Sequence, residues 1–117
     1  MIERETKIVY LACPYTDASA DVREERFRAA TRAATKLIEK GLVVFSPITM
    51  THPIDIEMAG AAGTLGSEYW GKFDEAFMSA CSELAILKIE GWDTSLGVAR
   101  ELRFFEARGL PVWFVDP

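Results

Sequence analysis

Two carboxylates stand where helical spacing calls for apolar side chains. Glu101 lies three residues after Val98 and four before Phe105, within or beside a stripe formed by Val98, Leu102, Phe105 and Gly109. Asp74 lies four after Trp70, three before Phe77 and four before Met78. A carboxylate against apolar neighbours is costly unless it is hydrogen-bonded, paired or protonated. Either residue alone could rotate to the stripe edge and meet solvent or an arginine. Two of them, both expected at the same rim of one sheet, suggest glycosidic-bond chemistry: one carboxylate attacks or stabilises the sugar cation while the other handles the proton. Such chemistry requires no metal or organic cofactor. Ser95 and Gly97 stand at the start of the helix that carries Glu101, where free backbone N–H groups and the positive dipole end suit an anion.

These residues must be held by strands and helices that the hydropathy pattern outlines. The apolar run from Lys7 to Cys13 reads as a central strand buried on both faces, ended by Pro14. Val22, Phe27, Ala30, Ala34, Leu37 and Ile38 recur at helical spacing, with Asp21 and Glu24 resembling a capping pair and Gly41 closing the helix. Leu42 to Phe45 is a second strand. The segment from Ile48 to Gly66 is the least patterned and is expected to be a flap-like loop, with a short helix around Ile54 to Met58. Glu68 to Ser82 is helical, Leu84 to Ile89 a strand, Ser95 to Arg108 a helix and Leu110 to Val115 the last strand. Alternating strands and helices predict a single α/β domain, an open parallel sheet of four to five strands with helices on both faces. The turn from Gly91 to Ser95 then falls at the carboxyl end of a strand, where ligands bind in such sheets.

Composition narrows the partners. At 117 residues and 50% hydrophobic, the chain is one domain with a sizeable core. Its net charge of −5 argues against a nucleic-acid or membrane surface, and no apolar run approaches spanning length. The acidic start lacks an apolar signal core, so the cytoplasm is expected. Cys13 and Cys81 read as buried free thiols rather than a disulfide. No Gly-x-Gly-x-x-Gly or Walker motif supports a dinucleotide or triphosphate site.

Ser95-Leu96-Gly97-Val98-Ala99-Arg100-Glu101 resembles the Ser-x-Gly-Val-x-x-Glu signature of the 2′-deoxynucleoside 5′-phosphate N-hydrolases, in the nucleoside 2-deoxyribosyltransferase superfamily. Leu11 to Tyr15, Ser46-Pro47, His52-Pro53 and the Gly91-to-Glu101 block extend the resemblance over nearly the whole length, closest to a branch of small bacterial and phage proteins. It implies a flavodoxin-like sheet and a homo-oligomer acting on a small-molecule nucleoside or nucleotide. It implies that Glu101 is the nucleophile at C1′, that Asp74 assists proton transfer at the base, and that Tyr10 sits near the nucleophile. It assigns Ser95 and Gly97 to the 5′ end of the substrate. The glycine-rich loop with which the N-hydrolases touch phosphate is replaced here by Ala12 to Asp17, which leaves a 5′-phosphate and a 5′-hydroxyl both open.

Other residues are read on their own chemistry. Tyr15 is a candidate for base stacking or sugar contact. Asp93 either caps its turn or receives a sugar hydroxyl. His52, beside a proline, is read as a loop or surface residue ahead of a substrate contact; alone it cannot form a metal site. Arg23 and Arg26, at a helix start facing the site rim, are read as a solvated face ahead of a phosphate contact, and Trp70 and Trp92 are expected in packing or a lid. Tyr69, Trp70 and Phe73 are compatible with a dimer face. The expected activity is N-glycosidic hydrolysis or base exchange; the alternatives are a nucleotide-sensing module and a phage–host interaction protein with a vestigial pocket.

Overall fold

The computed structural model describes residues 6–59 and 66–117. Four strands form one parallel sheet in the order β2-β1-β3-β4: β1 (Ile8–Ala12), β2 (Val43–Phe45), β3 (Glu83–Leu87) and β4 (Val112–Val115). α1 (Ala20–Glu39) joins β1 to β2. α2 (Pro47–Ala59) and α3 (Ser67–Met78) belong to the crossover from β2 to β3, and α4 (Leu96–Ala107) joins β3 to β4. The expected open α/β sheet with helices on both faces is the one observed, with four strands among the described residues.

The two central strands explain the continuous apolar runs. Successive side chains point to opposite faces of a strand. Val9 and Leu11 of β1, with Ala85 and Leu87 of β3, pack under Ala30, Ala33, Ala34 and Leu37 of α1. Tyr10, Ala12, Leu84 and Ile86 face the other way, against Met78 of α3 and Val98 and Phe105 of α4. Because both faces are covered, the buried positions of both strands are apolar apart from the Tyr10 hydroxyl. The chain moves from β1 outward to β2, then crosses back to β3 on the other side of β1. That reversal opens a crevice beyond the carboxyl ends of β1 and β3.

Several boundaries differ from expectation for local reasons. α1 begins earlier than the Asp21–Glu24 pair suggested: Ser19 is the N-cap, its hydroxyl accepting from the Val22 N–H at 3.4 Å, and Asp21 falls in the first turn. The helix ends as expected at Gly41, whose φ of +94° suits glycine. The larger correction is α2, a helix from Pro47 to Ala59 where a flap with only a short helix around Ile54 to Met58 was expected. Its apolar residues run around the whole cylinder, leaving Met50, Ile54 and Ile56 exposed, so no stripe marked it. Pro53 lies inside the helix, while Pro47 occupies the first helical position, where a missing N–H costs nothing. Thr49 ties the start of α2 to its neighbours, its hydroxyl bonding to Ser46 at 2.8 Å and to Thr31 of α1 at 2.9 Å. The part of the flap reading that concerns residues 60–65 lies outside the described residues. Cys13 and Cys81 are buried free thiols, as expected. No helix among the described residues is long and apolar enough to cross a membrane.

Candidate functional site

A cavity of about 900 Å³ occupies the crevice. The β1 loop contributes Cys13 to Asp17, α4 and its preceding turn contribute Gly91 and Thr94 to Gly97, and α2 and α3 add further walls. Glu101 lines it although only 6% exposed, because α4 turns that side chain inward beside Val98 and Phe105. The Tyr10 hydroxyl, from the middle of β1, donates to Glu101 Oε2 at 2.5 Å. Burial pushes the Glu101 carboxyl up to about 8; the Tyr10 bond opposes the rise, the Asp74 charge adds to it and Arg100 opposes it. Asp74 lines the same cavity from α3, half-buried, and burial raises it to about 6 against the pull of Arg100. The two carboxylates therefore converge on one chamber.

Arg100, the residue before Glu101 on α4, also lines the cavity. Its guanidinium passes over Gly71 of α3, where a Cβ would stand 3.4 Å from Arg100 Cζ, so the missing side chain leaves room for the cation one turn from Asp74. Ser95 is the N-cap of α4: its hydroxyl oxygen accepts from the Val98 N–H at 3.2 Å, leaving its own proton to face the cavity with Gly97.

Arg23 and Arg26 do not occupy a solvated face; both line the cavity. Arg23 donates to the Asp17 carbonyl. Arg26 donates to the Thr16 carbonyl at 3.1 Å and the Glu90 carbonyl at 3.5 Å, tying the β1 loop to the β3–α4 turn. Gly91 makes this tie possible. Its φ is +92° and a Cβ there would come within 2.8 Å of Arg26 Nη2. Gly91→Ala is therefore expected to cost about 1–2 kcal/mol from the left-handed backbone alone, before the displacement of Arg26. Thermal unfolding measures it; an unchanged midpoint would mean that the turn relaxes freely.

The remaining candidates divide. Tyr15 lines the cavity, whereas Tyr10 lies beneath it, 0% exposed, and reaches it only through Glu101. Asp93 is exposed and outside the lining, so a sugar contact is not where the turn puts it. His52 is neither on a loop nor at the surface: α2 buries it to 4% exposure behind Tyr15, and it does not line the cavity. Trp70 lines the cavity, while Trp92 packs at the other side of the sheet end against Phe114. Asp55 and Thr51 of α2 also line it and were not anticipated, because α2 itself was not.

A family model described as "Domain of unknown function (DUF1937)" matches residues 7–116. The chain belongs to that family. No curated protein matches it. The match takes in every wall of the cavity, so the DUF1937 domain and the candidate site share one extent. Within it, the domain sets a buried, phenol-bonded carboxyl beside a second carboxyl of raised proton affinity, with a helix amino terminus and the guanidinium groups of Arg23, Arg26 and Arg100 nearby.

Proposed function

We propose that this domain cleaves or exchanges the N-glycosidic bond of a nucleoside 5′-monophosphate, with Glu101 as nucleophile and Asp74 as proton donor. The observation that carries the reading is the placement of Glu101, buried on Tyr10 and sharing its cavity with Asp74 at the strand-order reversal. The Glu101 carboxylate attacks C1′, the bond from C1′ to the base nitrogen breaks, and that nitrogen takes its proton from Asp74. Water, or a second base, then attacks C1′ of the glycosyl ester, restoring the Glu101 carboxylate as Asp74 accepts the incoming proton. The resemblance of Ser95 to Glu101 to the N-hydrolase signature supports the same assignment.

A 5′-phosphate is favoured over a bare hydroxyl by charge. Among the described residues, no carboxylate lies within 4 Å of the Arg23 or Arg26 guanidinium; both are held by backbone carbonyls that leave their charge uncancelled. With the Ser95 hydroxyl and the first N–H groups of α4, they offer a dianion cationic and dipolar partners. A homo-oligomer belongs to this reading, with the exposed Tyr69 of α3 on its candidate face.

The test is incubation with a panel of nucleosides and their 5′-monophosphates, followed by chromatography for free base. Release from 5′-monophosphates, at least tenfold faster than from nucleosides, is the expected result. Arg26→Met should erase that preference by slowing only the phosphorylated substrates. Binding of nucleotides with no free base from any of them would favour the sensing module and end the enzymatic reading.

A further inference from the structure

At the part of the cavity wall formed by Tyr15 and Asp55 lies a chain of polar groups that the proposed chemistry does not use. The Tyr15 hydroxyl stands 2.7 Å from His52 Nδ1 and 3.5 Å from Asp55 Oδ2. The His52 ring stacks on Phe27 with centroids 4.5 Å apart, which fixes its plane. Its Nε2 is buried with no hydrogen-bond partner, and the nearest acceptor is Glu24 Oε1 of α1 at 3.7 Å.

This arrangement limits where the protons can sit. In a neutral imidazole one nitrogen carries hydrogen and the other accepts. The Glu24 carboxylate, an acceptor only, favours the hydrogen on Nε2. With the hydrogen on Nε2, Nδ1 accepts and the Tyr15 hydroxyl donates across the shorter contact; with the hydrogen on Nδ1, the Tyr15 hydroxyl accepts from His52 and donates to Asp55. Either way the phenolic proton is taken up by a group of the wall rather than offered to a ligand. Tyr15 presents its oxygen lone pairs, and the nearby Arg23 cation opposes the burial-driven rise in its proton affinity. Asp55, half-buried on the cavity wall, receives only the longer, weaker approach of Tyr15. Two oxygens therefore face the cavity as acceptors with capacity to spare, and a polar group left unmatched on ligand binding is expensive.

We propose that Tyr15 and Asp55 form a hydrogen-bond-accepting wall that selects ligands carrying an N–H or O–H donor at that point, with His52 as the positioning residue that holds the Tyr15 proton out of the cavity. The donor is an exocyclic amine of the base or a hydroxyl of the sugar, which share this chemistry. The choice of nucleotides as probes rests on the N-glycosidic reading; the accepting wall does not require turnover.

The experiment is calorimetric binding in the Glu101→Gln background, so that no ligand is consumed. The probes are adenosine and cytidine 5′-monophosphates and their analogues lacking the exocyclic amine, the 2′-hydroxyl or the 3′-hydroxyl. Deleting one of these donors should weaken binding at least tenfold, and the deletion that does so identifies the source. The same deletion should cost less than about twofold once Tyr15→Phe or Asp55→Ala removes an acceptor. His52→Phe keeps the ring stack but loses Nδ1, and should blunt the discrimination; His52→Asn retains an acceptor at the Nδ1 position and should restore it. A purely structural His52 would move overall affinity or thermal stability without moving this ratio. Equal binding across all analogues, discrimination that survives both wall variants, or binding of no probe would overturn the proposal. Discrimination without base release from the parent protein would leave the wall standing and remove the N-glycosidic reading.

Discussion

Glu101→Gln is expected to abolish base release while making the folded domain more stable above neutral pH. A nucleophile replaced by an amide should lose about a thousandfold or more in turnover. The stability gain follows from linkage. In the unfolded chain this carboxyl titrates near its ordinary value of 4.5, whereas burial holds it at about 8 in the fold. The folded state therefore binds the proton more tightly, and this contribution is fully present below pH 4.5. As pH climbs toward 8 the unfolded chain ionises first, and stability is lost progressively. The separation corresponds to on the order of 5 kcal/mol across that window. Asp74, raised from 3.8 to about 6, contributes in the same direction over a lower range. Glutamine has nearly the same shape, carries no titrating group and can still accept the Tyr10 proton, so it removes the Glu101 part of the slope. Thermal unfolding between pH 5 and pH 9 should show a falling midpoint for the parent protein and a flatter line for the variant. Parallel lines would mean that the folded protein does not hold the Glu101 proton more tightly than the unfolded chain.

The carboxylate pair was legible because each residue breaks an apolar repeat, and the repeat itself fixes which way a helical side chain projects. β1 and β3 were legible because strands buried on both faces leave uninterrupted apolar runs. Ser95 was legible because a hydroxyl before a helix has a local reason to be there. What sequence spacing does not carry is pairing between distant elements. Tyr10 is 91 residues from Glu101, and nothing local separates a phenol that supports a carboxylate from one that only packs. His52 looked like a loop residue because α2 has no stripe and contains Pro53; its burial comes from Phe27 and Tyr15, both contributed by other segments. Arg23 and Arg26 carry the composition of a solvated helix face. Their role depends on α1 starting directly over the crevice, where loop carbonyls hold them. Asp93 shows the converse: a plausible residue type in the right turn, which the turn leaves exposed outside the cavity lining.

The rate of base release against pH should trace a bell with limbs near 6 and 8, where Asp74 and Glu101 titrate. Below the lower limb both carboxyls are neutral and there is no nucleophile; above the upper limb both are ionised and there is no acid. The active form carries one proton on the pair, so the limbs belong to the pair jointly, and the share of that proton on Asp74 sets only the height. Substitutions around the pair should move the limbs in opposite directions. Asp74→Asn removes the negative charge that raises Glu101, so the Glu101 transition should move below 8. With no acid left, the rate should fall by about 10²–10⁴ and the descending limb should vanish, leaving a rate that rises with pH to a plateau. Arg100→Met removes the cation that lowers both carboxyls, so both limbs should move upward. The pH dependence of the unfolding midpoint reads the same shifts without turnover. A descending limb that persists in Asp74→Asn would assign the proton to another group. An Arg100→Met profile shifted downward would contradict the placement of that guanidinium beside the pair.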